Sequence, residues 1–252
     1  MEPEDEYFVS TCSHVNESDE IDGCAKRRLK HLKSLISRGA KIKVALINDK
    51  HAGFAYLLPI EISQIGPIGE NADVLPCMWV LEDFQKKGAG RALLDSIIRE
   101  TEDRKRSALV TYAYYNDFWF MPASFFERQG FECISRKSDC GILWKTFSEN
   151  AVTPVFPSKK FRYQKIEGKV TVDLFYTDFC QTCCIEAARV REVVSEFGDD
   201  VVLREYSADD REVFESHMLS RAIYINGREI GWGYEAPREG IREAIRMALD
   251  EL

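Results

Sequence analysis

Periodicity stops between residues 148 and 168. That stretch holds Pro154, Pro157 and Ser158-Lys159-Lys160 and carries neither strand alternation nor a helical stripe, so it reads as an inter-domain connection. A chain of 252 residues exceeds one average domain of about 150 residues but falls short of two. The break therefore predicts a medium domain over residues 1–147, a linker over 148–168 and a small domain over 169–252.

Before the break, residues 6–12 read as a short strand. The cluster Asn16-Glu17-Ser18-Asp19-Glu20 then caps a helix that runs to Ser37 and is stopped by Gly39. Residues 41–47 alternate, residues 52–60 form an apolar run, and residues 48–53 supply the hairpin turn between them. Residues 74–81 read as one buried strand despite Pro76. Leu93, Leu94, Ile97, Ile98 and Thr101 then recur at helical spacing. A strand over 108–114, a short helix over 122–129 closed by Gly130, and a strand pair from Phe131 to Trp144 turning at Ser138-Asp139 complete the part. Such mixed alternation predicts an α/β (α+β) domain built on a mixed sheet.

After the break the order is βαβαββα, ending in the most regular helix of the chain, with Ile241, Ala244, Ile245, Ala248, Leu249 and Leu252 on one stripe. This order fits a sheet with helices packed on its faces.

Composition bounds the partners. A net charge of -8 with no basic, aromatic-interleaved stripe argues against nucleic acid, and no segment approaches a membrane span. The acidic start Met1-Glu2-Pro3-Glu4-Asp5-Glu6 is unlike an export signal, which makes the cytoplasm the expected compartment. Eight scattered cysteines do not form an extracellular disulfide framework; only Cys180, Cys183 and Cys184 cluster. The charge suits a cationic amine substrate, and a homodimer stays open.

Gln85-Lys86-Lys87-Gly88-Ala89-Gly90-Arg91 lies between a buried strand and an amphipathic helix. Its backbone N–H groups can converge on an anion at the helix N-terminus, and Lys86, Lys87 and Arg91 add charge there. The alternative is a tight strand-to-helix connection with solvated basic residues. The longer run from Val80-Leu81-Glu82-Asp83-Phe84 through Arg91 closely resembles motif A of the GNAT N-acetyltransferase superfamily. Asn116, followed by Ala123-Ser124-Phe125-Phe126-Glu127-Arg128-Gln129-Gly130-Phe131, resembles that family's later helix ending in Gly-Phe.

The resemblance spans roughly residues 6–147. It implies two splayed parallel strands, 74–81 and 108–114, with the pantetheine of acetyl-CoA, the cosubstrate, between them. Backbone groups near Val80 and Leu81 would hold the pantetheine and the loop from Gln85 to Arg91 the pyrophosphate. Asn116, Ser124 and Phe126 would contact the far side of the cofactor. Direct attack of an amine on the thioester needs a base and an acid for the leaving thiolate. Glu82 is the nominated base, with His51 and Glu61 as further candidates. Many members of the family place Tyr where this chain has Phe126, so Tyr114 or Tyr115 is the nominated acid. Trp79, Phe118, Trp119, Phe120 and Met121 are read either as a pocket for an apolar amine or as core.

In the second part, Cys180-Gln181-Thr182-Cys183-Cys184 follows a strand and opens a helix, where the helix dipole favours a thiolate at Cys180. The run from Phe175 to Cys184 resembles the active-site region of thioredoxin-like domains, and Ile223-Tyr224-Ile225-Asn226-Gly227 the later strand and turn of glutaredoxins. Arg221 stands where a cis-proline is usual, and Leu174 where thioredoxin has a buried acid. Arg221 can lower a cysteine pKa, and Cys184 offers a third ligand for a thiophilic metal. The combined architecture resembles the YoaP-type proteins. The expected function is acetyl transfer to an amine of a small molecule or peptide. The alternatives are a CoA-binding redox or metal sensor using Cys180, Cys183 and Cys184, and a disulfide reductase.

Overall fold

The computed structural model describes residues 2–116, 120–233 and 235–252. The chain divides into two compact units: the residues up to Val15 with Leu32–Pro157, and Asn16–His31 with Ser158–Leu252. Among the described residues no helix is long and apolar enough to cross a membrane.

The first unit opens on helix α1 (Glu6–Thr11), where a strand is expected from sequence. Three apolar residues in a row fit either element, and the flanks decide. Pro3 sits in the first turn, and Glu2 and Asp5 form a reciprocal capping box ahead of it. Phe8 then packs edge-on against Phe54, and the Val9 carbonyl accepts from the Tyr56 hydroxyl at 2.6 Å.

After α2 (Asp19–Ser37), β1 (Lys41–Ile47) and β2 (Lys50–Pro59) form an antiparallel hairpin. Its turn is only Asn48-Asp49, at φ 50° and 59°, the left-handed pair a tight hairpin requires. A bulge at Ala52 places His51 on the same face as Phe54, against Phe8.

The expected single strand over 74–81 is two strands, β3 (Ala72–Val74) and β4 (Met78–Val80). Pro76 has no N–H to give a ladder, and across it the chain keeps β2 and leaves β5. β3 runs parallel to β5 (Ala108–Tyr114), and Leu75 still donates to the Val110 carbonyl at 2.8 Å. β3 also pairs with β2, at Leu58 and Pro59, and from Cys77 onward the chain stays on β2: Tyr56 N–H donates to the Cys77 carbonyl, and β4 pairs with Gly53, Phe54 and Ala55. The strands therefore part beyond Leu75.

Helix α3 (Ala89–Asp103) lays Leu93, Leu94 and Ile97 against Ala55, Leu57 and Leu109. Helix α4 (Ala123–Glu127), β6 (Glu132–Lys137) and β7 (Cys140–Thr146) follow, giving the sheet order β1-β2-β3-β5-β7-β6 with β4 on β2.

In the second unit β8 (Val170–Tyr176) runs parallel to β9 (Val201–Ser207). β10 (Ala222–Ile225) is antiparallel to both β8 and β11 (Arg228–Ile230), giving the order β11-β10-β8-β9. Helices α5 (Gln181–Ser195) and α7 (Arg238–Asp250) cover one face, with Val190, Ile241 and Ile245 packed on Val172, Leu174 and Ile223. Helix α6 (Arg211–His217) connects β9 to β10. On the other face Phe161 meets Phe175 at 5.1 Å and Tyr224 at 4.8 Å. Residues 148–168 lack regular elements yet are anchored. Ile68 and Val155 exchange two backbone bonds in the first unit, and Phe156 stacks on Tyr112 there.

Candidate functional site

In the first unit, β4 leaves β5 and leads through a single 3-10 turn, Glu82–Phe84, into the N-terminus of α3. Gln85 folds back to donate from Nε2 to the Val80 carbonyl at 3.2 Å. Lys86, at φ 59°, and Gly88, at φ 90°, turn the chain so that Gly88 is the N-cap. That cap has no side-chain hydrogen bond, and a Cβ built on Gly88 would meet nothing within 4 Å. The first-turn N–H groups of Ala89, Gly90 and Arg91 stand at the positive end of a fifteen-residue helix. Lys86, Lys87 and Arg91 are exposed around it, and the first turn holds no acidic residue.

Leu81 N–H donates to the Ala52 carbonyl at 2.9 Å, so the start of β2 lies beside the end of β4. Glu82 is exposed there, and His51 precedes Ala52. His51 is 32% exposed; its Nε2 is 2.9 Å from Asp5 Oδ1, and its ring stacks on Phe8. Asp5 is the residue the sequence did not single out. Its acidic neighbours read as a solvated start, and only the helical conformation of the N-terminus brings its carboxylate to His51.

Glu61 lies past the opposite end of the ten-residue β2, bound to Arg106 and to the Asn71 N–H. It does not join His51 and Glu82.

Tyr114 is half-buried at the end of β5, with its ring beside Phe120 and its N–H on the Met121 carbonyl. Tyr115 donates its hydroxyl to Glu127 at 2.8 Å, with the Arg136 guanidinium 4.2 Å over its ring. Burial and its bonds to Cys133 and Glu127 push its phenol well above the ordinary value. Asn116 and Ser124 are exposed.

Phe126 corrects an expectation. It is 0% exposed and packs edge-on against Phe125 and Phe131, so its ring lies in the core rather than on an open face. A five-residue helix can present only part of its surface, and this one turns Phe126 inward. Met121 is likewise buried core rather than pocket lining. Trp79 and Phe120 are half-buried, and Phe118 and Trp119 lie outside the described residues.

In the second unit Cys180 is the N-cap of α5 and partly accessible. Cys183, one turn on, is 3% exposed. Its hydrogen bond to Cys180, and after that its burial, hold it protonated far above the ordinary thiol range. Cys184 does not gather with them, which corrects the three-ligand metal reading. Adjacent helical residues point about 100° apart, and Cys184 packs instead with Ile21, Cys24 and Ile185. Among the described residues no three His, Cys, Asp or Glu side chains gather as a metal ion requires.

The cysteine loop is held from behind. Asp209 accepts from the Thr177 hydroxyl and the Asp178 N–H, and His31 lies 3.3 Å from the same carboxylate. Arg28, 1% exposed, donates to the Phe179 carbonyl at 2.6 Å, and Gln181 donates to the Ile21 carbonyl. Ile21, Arg28 and His31 belong to a helix whose sequence carries no sign of this use.

The strands thus part directly ahead of a helix N-terminus surrounded by Lys86, Lys87 and Arg91. Residues 38–133 match the family model described as an acetyltransferase (GNAT) domain. A GNAT-family protein from Desulfovibrio desulfuricans is 22% identical, over 58% of this chain and 95% of that one, with a TM-score of 0.45. The PaiA N-acetyltransferase of Thermoplasma acidophilum, solved with coenzyme A, is 15% identical over 58% and 96%, at 0.43. A GNAT-family acetyltransferase of Brucella melitensis, solved with acetyl-CoA, is 16% identical over 62% and 90%, at 0.40. No curated protein matches the chain.

Proposed function

We propose that the first unit binds acetyl-CoA and transfers its acetyl group to an amine of a small molecule or peptide. The observation that carries this reading is the parting of β4 from β5 beyond Leu75, directly ahead of the open N-terminus at Gly88. Pantetheine lies along Val80 and Leu81, and the pyrophosphate sits on the N–H groups of Ala89, Gly90 and Arg91, with Gln85, Lys86 and Lys87 beside them. Asn116 and Ser124 face the cofactor from the far side.

The attacking amine must be neutral. Glu82 and the Asp5-held His51 stand at the same end of the sheet and are the bases in reach of an incoming ammonium, directly or through water. Tyr114, at the end of β5, is the acid for the departing thiolate, and Tyr115 gives its hydroxyl to Glu127.

Acetyl-CoA titrated into the full chain, and CoA thiol release across a panel of amines, test the reading. Binding that survives Gly88→Glu unchanged, or no binding at all, removes it.

A second reading concerns the other unit. Its strand order, with a half-accessible cysteine capping α5 and a buried one a turn later, supports a thioredoxin-like dithiol centre at Cys180 and Cys183. Formation of a Cys180–Cys183 disulfide on treatment with oxidised dithiothreitol, read by mass spectrometry, tests it.

A further inference from the structure

Resting on that dithiol reading, a further requirement appears. When Cys180 thiolate attacks a disulfide R–S–S–R, it forms Cys180–S–S–R and releases RS⁻. Cys183 must then attack the Cys180 sulfur, forming the Cys180–Cys183 disulfide and expelling the second RS⁻. The protein dithiol is oxidised by two electrons and the substrate disulfide is reduced to two thiols. Only a thiolate is nucleophilic enough for this second step, yet Cys183 is buried and protonated. Its proton needs an acceptor.

The strand beneath α5 supplies none, because Leu174 is packed there among Val190 and Ile223. The helix supplies one. Glu186 is three residues after Cys183, on the same face of α5, and is buried with 7% of its side chain exposed. Its carboxylate and the Cys183 thiol interact electrostatically. A buried carboxylate calls for charge and hydrogen-bond partners, and Glu186 has both. Arg221 grips both oxygens, at 2.7 and 3.0 Å, and the Ala236 N–H donates at 3.2 Å.

Arg221 is itself 37% exposed, and the guanidinium interacts electrostatically with both cysteines. Glu186 and Arg221 also line a cavity of about 240 Å³, together with Ile223, Ile230 and Trp232, which opens a route from the carboxylate to solvent.

We propose that Glu186, held in place by Arg221, accepts the Cys183 proton and so releases Cys183 to resolve the mixed disulfide on Cys180. The proton passes from Glu186 through the cavity to water or to the departing RS⁻.

The test uses the reduced full chain in single turnover with hydroxyethyl disulfide, quenched in acid and read by mass spectrometry. Formation of the mixed disulfide and its resolution are followed separately. Glu186→Gln keeps the side-chain volume and leaves a solvated Arg221. It is expected to form the mixed disulfide within twofold of the wild-type rate and to resolve it about a hundredfold more slowly at pH 7, the usual scale for a lost general base. Resolution in the variant should rise with pH where the wild type is flat, and Glu186→Asp should recover part of the rate. Resolution at the wild-type rate in Glu186→Gln, or equal slowing of both steps, overturns the proposal while leaving the dithiol centre standing. If the wild type forms no Cys180–Cys183 disulfide, the dithiol reading itself fails and this proposal falls with it.

Discussion

His51 donates from Nε2 to Asp5 Oδ1 at 2.9 Å, and this bond ties the N-terminal turn to the second strand of the sheet. Burial alone would raise the Asp5 carboxyl, but the Glu2 N–H and His51 outweigh it and bring the carboxyl below its ordinary 3.8. A depressed carboxylate adds stability above its unfolded pKa and loses it as pH falls through the folded one. Asp5→Asn should therefore cost about 1 kcal/mol at pH 6, with the deficit fading toward pH 3. Thermal melts of both proteins across that range check it. A deficit that does not change with pH would sink the assignment.

Asp73 behaves in the opposite sense. It is fully buried in β3, and burial holds its carboxyl up at about 6 although Arg104 and Arg106 stand 3.2 and 3.5 Å away. A raised carboxyl binds its proton more tightly in the fold, so this contribution is full below the ordinary 3.8 and is lost as pH climbs to about 6. The stability of Asp73→Asn relative to wild type should rise by roughly 2–3 kcal/mol between pH 4 and pH 7, taking 1.36 kcal/mol per pKa unit. Urea titrations at both pH values give the difference, and a constant offset would refute it.

Gly88 separates cofactor binding from folding. At φ 90° any side chain is strained, by about 1 kcal/mol, yet a Cβ there meets no neighbour. Gly88→Glu should lower the melting temperature by only a few degrees while weakening acetyl-CoA binding at least tenfold, because it sets a negative charge at the helix N-terminus. Calorimetric titration distinguishes this from a collapsed fold, in which both would be lost together.

These cases show what the sequence makes legible. Alternation and helical stripes mark most strands and helices, and the left-handed glycine before an amphipathic helix marks the loop at Gly88. Partners distant in sequence are another matter. Nothing in residues 74–81 announces that Pro76 splits one strand in two, of which β3 alone pairs with β5. Three apolar residues at 7–9 do not choose between strand and helix until the capping box at Glu2 and Asp5 is seen. The strand position where a thioredoxin-like domain carries its buried acid holds Leu174, and the acid on the Cys183 face of the helix is Glu186. It stands one helical turn along from the cysteine itself, where a glutamate in an amphipathic helix reads as surface.

Phe126 tests whether the missing phenol matters. Its ring is fully enclosed by Phe125 and Phe131, so Phe126→Tyr forces a hydroxyl into the core without a partner, at a cost of about 1–3 kcal/mol. No gain in kcat should accompany that loss, because the hydroxyl does not reach an open site. A variant that melts like wild type and turns over faster would place this residue at the cofactor after all.

The cysteines of the second unit should divide sharply under alkylation. Cys180 is partly accessible at the start of α5, whereas Cys24, Cys183 and Cys184 are buried. Burial pushes the Cys24 and Cys184 thiols up, and Cys183 is held protonated by its bond to Cys180 and by burial. Cys133, exposed in the first unit, serves as an internal reference. Iodoacetamide at pH 7 should label Cys180 and Cys133 in the native chain and reach Cys24, Cys183 and Cys184 only in denaturant. Peptide mapping reads each site separately. Labelling of Cys184 as fast as Cys133 would mean that the helix face packed on Ile21 opens in the native state, and it would return Cys184 to the reactive cluster from which its burial removes it.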